Sequence, residues 1–110
     1  MLPSDSIRPD GEGLSSLAGF FRVFSDETRL MILCKLTEGE TRVLDIANSL
    51  GLSHSAVSHQ LQLLRSRDLV RFRREGKNVW YSLADERVRP ILLQGISHEE
   101  NKGVRHGQTP

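Results

Sequence analysis

Hydrophobic residues recur at helical spacing in four runs between residues 14 and 64, with a polar or glycine-containing break after each run. Apolar residues three or four positions apart lie on one face of a helix, so each run predicts an amphipathic helix. We expect Ser25 or Asp26 to cap the second helix and Glu38–Gly39 to end it. The apolar faces of the first two helices are formed by Leu14, Leu17, Ala18, Phe21 and Phe24, and by Leu30, Leu33 and Leu36.

The third and fourth runs are separated only by the segment Gly51–Ser53. Thr41 is expected to cap the third helix and Ser53 the fourth, while Gly51 is suited to the left-handed conformation that stops a helix. Two amphipathic helices joined by so short a turn predict a helix-turn-helix. The buried positions would be Val43, Ile46, Ala47 and Leu50 in the third helix, and Val57, Leu61 and Leu64 in the fourth.

A β-hairpin and a last helix are predicted in the rest of the chain. Val70–Arg73 and Val79–Leu83 are rich in strand formers, and the turn between them contains Gly76. Asp85 opens the last helix, whose regular part should start near Arg89 because proline at position 90 is accepted only in a first turn. The fold class is therefore mainly α with a small β-hairpin, a winged helix-turn-helix. We expect a flexible arm over 1–13, the domain over 14–101 and a flexible tail over 102–110.

Composition narrows the class of protein. The chain has 110 residues, enough for one domain, with 37% hydrophobic and 26% charged residues, as in soluble globular proteins. No apolar run reaches the roughly 18 residues that cross a bilayer, and the first residues do not resemble a signal peptide. These features predict a cytoplasmic protein without a membrane partner. No nucleophile–base set, phosphate loop or pair of carboxylates suggests an enzyme.

Positive charge is concentrated in the second half of the chain. Residues 53–78 hold six lysines and arginines against two acidic residues, whereas residues 1–50 hold five against eight. A cationic segment on a nearly neutral protein indicates a local surface for a polyanion such as DNA.

The outward face of the fourth helix and the hairpin are the predicted DNA contacts. Short hydroxyl and amide side chains near a helix start can hydrogen-bond to base edges in the major groove, and a helix N-terminus can meet a phosphate. Cations on the hairpin can contact the neighbouring backbone or minor groove. The alternatives are an ordinary solvated helix face and a charged sheet edge that discourages aggregation. The candidate residues are Ser53, Ser55, Ser58, His59 and Gln62 on the helix, and Arg71, Arg73, Arg74 and Lys77 on the hairpin.

Three segments in the correct order resemble the ArsR/SmtB family of metal-sensing repressors: FSDETRLMIL at 24–33, IANSLGLS with SAVSHQL over 46–61, and LV with RREGKNVWY over 69–81. Within the second segment, Gln60 occupies the position of the family's usual histidine, and His59 stands one place earlier. The resemblance implies a homodimer paired through the first and last helices that binds an inverted repeat and leaves it when an inducer binds. The apolar stripes Leu14/Leu17/Phe21 and Val88/Ile91/Leu92/Gly95 fit such pairing.

The resemblance also implies candidate metal ligands. The family's thiolate site is absent, because Arg42 and Leu44 occupy the two cysteine positions. Of the family's site on the last helix, Asp85 and His98 remain, while Arg87 and Asn101 replace the other two ligands. Three more acidic residues and a tail histidine could complete the shell: Glu86, Glu99, Glu100 and His106.

Two chains would be needed to build that metal site. Asp85 and His98 are about 20 Å apart along one helix, so antiparallel last helices of a dimer would have to bring them together. Imidazole and carboxylate ligands without thiolate favour nickel, with zinc or cobalt as alternatives. In the simpler interpretation Asp85 caps a helix and His98 is a surface residue.

Cys34 lies in an apolar run. Its expected role there is that of a small buried hydrophobic residue, and a redox sensor is the alternative.

The leading hypothesis for the function is a metal-responsive, dimeric regulator that binds double-stranded DNA. A metal-independent winged-helix regulator and a winged-helix protein-interaction module are the alternatives.

Overall fold

The computed structural model describes residues 9–108, with side-chain detail through Lys102. It contains five helices and a three-stranded antiparallel sheet within these residues. In chain order the elements are α1 (Gly11–Val23), α2 (Glu27–Leu36), β1 (Thr41–Arg42), α3 (Val43–Leu50), α4 (His54–Ser66), β2 (Val70–Glu75), β3 (Asn78–Leu83) and α5 (Val88–Gln108).

Side-chain caps fix the start of three helices. Asp10, Asp26 and Ser53 accept hydrogen bonds from backbone N–H groups three residues ahead, at 2.6, 2.9 and 3.1 Å. Each bond satisfies a donor that the first helical turn leaves free. The caps predicted for α2 and α4 are confirmed, and the cap at Asp10 starts α1 three residues before the expected Leu14.

The predicted cap at Thr41 is wrong. Thr41 and Arg42 instead form β1, which pairs with Tyr81 and Trp80 of β3. Helix α3 starts after them at Val43, and its N-cap residue Arg42 makes no side-chain cap bond. Backbone pairing with a distant strand thus prevails over the local capping preference of threonine.

The last helix begins near the expected position and runs further than predicted. Asp85 accepts a hydrogen bond from the Arg87 backbone N–H at 2.9 Å, and α5 starts at Val88, which keeps Pro90 in the first turn. The helix continues to Gln108, seven residues beyond the predicted boundary at 101.

The sheet has the strand order β1-β3-β2, and β2 and β3 form the predicted hairpin. We call this hairpin, Val70–Leu83, the wing. Its turn contains Gly76 at φ 62°, a left-handed conformation that glycine adopts without steric cost. Asp68, just before β2, is the single non-glycine residue with positive φ (59°) in the described part of the chain.

The core lies where α2, α3 and α4 pack on the sheet, and α5 contributes its first two turns. Ile32, Ile46 and Leu61 are fully buried at its centre. Val88 and Leu92 of α5 are also buried within the chain, at 1% and 6% exposure. These two residues of the predicted dimer stripe therefore offer little surface for pairing, because the chain itself buries them.

Candidate nucleic-acid interface

Helix α4 turns one face to the core and the opposite face to solvent. Val57, Leu61 and Leu64 have no exposed surface and fix the rotation of the helix about its axis. On the other side Ser55, His59 and Gln62 are exposed and Ser58 is half-buried. The polar stripe predicted from helical spacing is thus presented outward at the helix-turn-helix. We call α4 the reading helix below.

A cleft of about 430 Å³ separates the reading helix from the wing. From α4 it is lined by His54, Ser58 and Gln62, and from the wing by Arg74 and Lys77. Hydrogen-bonding groups and cations therefore line the same concave surface. The structure brings these predicted residues together, whereas Ser53 serves as the helix cap and Ser55 and His59 lie outside the cleft.

The four predicted wing cations divide between the two faces of the sheet. One face of β2 packs towards α4 and carries every second residue of the strand: Val70, Phe72 and Arg74. On this face the Arg74 guanidinium lies 5.5 Å from the centre of the Phe72 ring. Arg71 and Arg73 point to the opposite face. Of the predicted wing cations, only Arg74 and Lys77 line the cleft.

On the outer face, both arginines have partners within the protein. Arg71 Nε donates to Ser82 Oγ at 3.4 Å. Arg73 donates from Nε and Nη2 to the two carboxylate oxygens of Glu40, both at 2.8 Å, and from Nη1 to Glu75. These bonds raise the pKa of Arg73 further above its usual range and lower that of Glu40. Two carboxylates thus offset the charge of Arg73.

Gln60 was not among the predicted site residues, and its role depends on a contact with α2. Its Oε1 accepts a hydrogen bond from Arg29 Nη1 at 3.2 Å. Arg29 also donates from Nε to the Val23 carbonyl at 2.9 Å, at the end of α1. The arginine therefore joins the end of α1 to the reading helix. The sequence offered one signal for this residue, because Gln60 stands where the family usually has histidine.

The candidate metal ligands whose side chains the structure describes do not form a site within one chain. The guanidinium of Arg87 holds the Asp85 carboxylate through three contacts of 2.8 to 3.2 Å, which lowers the pKa of Asp85. His98, Glu99 and Glu100 are exposed along α5, and His106 lies outside the residues whose side chains are described. Among the described residues, no three histidine, cysteine, aspartate or glutamate side chains are grouped to hold an ion.

An apolar groove of about 750 Å³ runs between α1, α2 and α5. Phe21, Ile91 and Ile96 line it and are 53%, 36% and 44% exposed. Cys34 is half-buried in its wall, and burial raises the pKa of the thiol. The expected apolar position of this cysteine is confirmed, and the thiol is disfavoured as a thiolate there.

Comparison with known proteins identifies the chain's relatives. A family model described as bacterial regulatory protein, arsR family, matches residues 26–71. The HTH-type transcriptional regulator NmtR of Mycobacterium tuberculosis is 38% identical over 92 residues, which cover 84% of this chain and 77% of that protein. The chain belongs to the ArsR family. This places it among DNA-binding transcriptional regulators and not among enzymes.

Two other relatives of this ArsR-family chain are a transcriptional repressor and a cadmium-resistance regulator. A transcriptional repressor SmtB homolog of Synechocystis is 44% identical over 74% of this chain, and the match spans 62% of that repressor's length. A cadmium resistance regulatory protein CadC homolog of Staphylococcus aureus is 39% identical over 76% of the chain and 69% of its own length.

Solved structures of the family share the fold. The antimony-specific transcriptional repressor AntR superposes with a TM-score of 0.81 at 31% identity, covering 94% of this chain and 96% of its own. The winged helix-turn-helix prediction is confirmed. No helix among residues 9–108 has the length and apolarity to span a membrane.

Proposed function

We propose that this protein is a homodimeric transcriptional repressor that binds an inverted-repeat operator in double-stranded DNA. The cleft between the reading helix and the wing carries the proposal. Ser58 and Gln62 would contact base edges in the major groove, with Ser55 and His59 beside them, while Arg74 and Lys77 would meet the adjacent phosphates. Because its partner would be chromosomal DNA, we expect the protein to act in the cytoplasm.

The test is a DNA titration at several salt concentrations. A duplex enriched from a random-sequence library with the unmodified protein serves as probe, and an unselected duplex of equal length serves as control. The proposal is supported if the enriched duplex binds more tightly than the unselected one and if the logarithm of its binding constant falls linearly with the logarithm of the salt concentration. Equal affinity for both duplexes at every salt concentration would contradict it and favour the protein-interaction module.

The dimer is supported by apolar surface that one chain leaves open. Leu14, Leu17 and Phe21 are 55%, 40% and 53% exposed along α1. Phe21 lines the apolar groove with Ile91 and Ile96 of α5, and Leu17 lines a second pocket with Ile91. A small domain seldom leaves so many neighbouring apolar side chains in water. A two-fold pairing of α1 and α5 would cover them and set the distance between two reading helices.

A divalent metal is the second part of the proposal, as the effector that releases DNA. It is supported by the cadmium-resistance name of one relative, since cadmium is a divalent ion. The described side chains of one chain do not hold an ion, because Arg87 is paired with Asp85 and no three candidate ligands are grouped among them. Donors from two chains would be required, with His98 of one α5 as the central ligand and nickel, zinc or cobalt as the ion.

The metal proposal is tested by calorimetric titration of nickel, zinc and cobalt into the dimer. His98→Ala should lose affinity for the ion that binds. Arg87→Ala, which frees the Asp85 carboxylate, should gain affinity if Asp85 is a ligand. Unchanged affinity in His98→Ala would remove α5 as the site and leave Asp85 as a helix-start residue.

A further inference from the structure

Five side chains form a continuous row across the outer face of the sheet. The strand register places Arg42 of β1 opposite Trp80 of β3, and Trp80 opposite Arg73 of β2. The Arg42 and Arg73 guanidinium groups lie 5.7 and 5.3 Å from the centre of the Trp80 ring. Cations at this distance are attracted to the face of an indole. We call Asp45, Arg42, Trp80, Arg73 and Glu40 the Trp80 row.

Carboxylates hold both ends of the row. Asp45 of α3 accepts from Arg42 Nε and Nη2 at 2.8 and 3.1 Å. At the other end Glu40, in the segment before β1, accepts two hydrogen bonds from Arg73 at 2.8 Å. A fork of two parallel bonds fixes direction as well as distance. The row therefore joins the start of α3 and the segment before β1 to the outer wing strand.

Trp80 and Arg73 lie on the face of the sheet opposite Arg74, while Arg42 reaches the cleft and lines part of it. Arg73 and Arg74 are neighbours in β2, so any rotation of the strand that moves Arg73 also moves Arg74 in the cleft. Glu40 contacts β2 although β1 and β2 are not adjacent in the sheet. It can therefore restrain the twist of the hairpin without using a ladder hydrogen bond.

We propose that Glu40 and Arg73 are positioning residues for DNA binding. Their ion pair holds the wing at the angle at which Arg74 and Lys77 meet the phosphates, and Arg73 does not contact DNA itself. This inference rests on the proposed DNA surface. It differs from the sequence-based expectation, in which Arg73 is a phosphate contact.

One substitution distinguishes a positioning role of Arg73 from a phosphate contact, because the two roles predict opposite changes in DNA affinity. Glu40→Gln removes a negative charge and one end of the row. If Arg73 were a phosphate contact restrained by Glu40, this change would free a cation and tighten DNA binding. If Glu40 positions the wing, binding should weaken by about two- to fivefold, the range of an exposed but well-formed ion pair, and the salt slope should not become steeper.

Glu38→Gln is the matched control. Glu38 lies two residues away in the same segment and pairs only with Lys35, at 3.1 Å. The Glu38→Gln substitution removes the same charge without changing any residue of the Trp80 row, so it should leave DNA affinity unchanged. Arg73→Lys is a second variant, which keeps the charge but cannot form the planar fork. It should weaken binding as Glu40→Gln does, again without a steeper salt slope.

Trp80 supplies a readout that does not depend on DNA. It is the only tryptophan of the chain, so acrylamide quenching of its fluorescence reports on the row. Quenching should increase in Glu40→Gln and Arg73→Lys and remain unchanged in Glu38→Gln. Tighter or unchanged DNA binding by Glu40→Gln, or unchanged quenching, would overturn the inference. Failure of the unmodified protein to bind the selected duplex would instead refute the proposed function, and the quenching comparison would still test the row.

Discussion

Arg29 Nη1 donates to Gln60 Oε1 at 3.2 Å, which joins the first turn of α2 to the middle of the reading helix. The same guanidinium donates to the carbonyls of Val23 and Arg22 at 2.9 and 3.4 Å, at the end of α1. One side chain thus links the proposed dimer helix to the DNA-reading helix. The orientation of α4 depends on α1 through this link.

Arg29→Met should lower the free energy of unfolding by about 1–2 kcal/mol, because two part-buried hydrogen bonds and one exposed hydrogen bond of a charged group are lost. Urea denaturation measures this change. Arg22→Met is the control, since the Arg22 side chain is exposed at the end of α1, and it should leave stability within about 0.5 kcal/mol of the parent protein. Equal stability of the two variants would show that the Arg29–Gln60 contact does not form in solution.

Ser58→Ala and Gln62→Ala should relax sequence preference. Each would lose about 1–3 kcal/mol on the selected duplex if it makes a good base contact, with little loss on the unselected one. Fluorescence anisotropy with both duplexes gives the ratio. Asn48→Ala, exposed on α3, is the control. A uniform loss on both duplexes would indicate backbone contacts in place of base reading.

Arg74→Gln and Lys77→Gln should each weaken binding to both duplexes. The slope of log K against log salt should become shallower by about 0.9, the value for one released phosphate contact. Arg71→Gln is the matched control, because Arg71 carries the same charge in the same strand but points to the opposite face. Equal slopes for Arg71→Gln and Arg74→Gln would contradict the division of the wing into two faces.

Ile96→Glu should dissociate the dimer. Ile96 is 44% exposed in the single chain, so the chain tolerates the charge, whereas the paired surface would bury it without a partner. Light scattering at micromolar concentration distinguishes dimer from monomer. Leu44→Glu adds the same charge at an exposed leucine of α3, far from the apolar groove, and should remain dimeric. A monomeric parent protein would refute the pairing altogether.

Cys34 should react slowly with iodoacetamide in the folded protein. Burial raises the pKa of the thiol, so the reactive thiolate is scarcer at pH 8 than in the urea-unfolded chain. A raised folded-state pKa contributes stability below the unfolded value of about 8.5, and this stability is lost as pH rises through the folded value. Cys34→Ala should therefore lose less stability between pH 8 and 10 than the parent. Faster alkylation of the folded chain would favour a redox-sensing cysteine.

Much of the fold was predictable because helical periodicity is a local property. The apolar stripes of α2, α3 and α4 and the cap at Ser53 were found from spacing alone. Strand β1 was missed because two residues carry no periodicity, and their strand conformation depends on pairing with Tyr81 and Trp80 almost forty residues later.

The candidate site was predicted less completely than the fold. A single apolar stripe on α5 could not tell Leu92, which the chain buries, from Ile96, which it leaves open. Counting cations in the hairpin grouped Arg73 with Arg74, although strand alternation already places neighbours on opposite faces. The partner of Arg73 is Glu40, and nothing in the local sequence indicates that contact.

The alternation of β2 has a consequence for how such a regulator can evolve. Val70, Phe72 and Arg74 occupy the inner face, and Arg71, Arg73 and Glu75 the outer one. A point mutation on the inner face leaves the contacts of the outer face in place, so operator preference can drift while the hairpin keeps its shape. An insertion or deletion of one residue in β2 would instead exchange the two sets, exposing Phe72 and turning Glu75 inward. Substitutions in β2 can therefore change which operator the protein binds, whereas insertions or deletions in this strand would disrupt the hairpin.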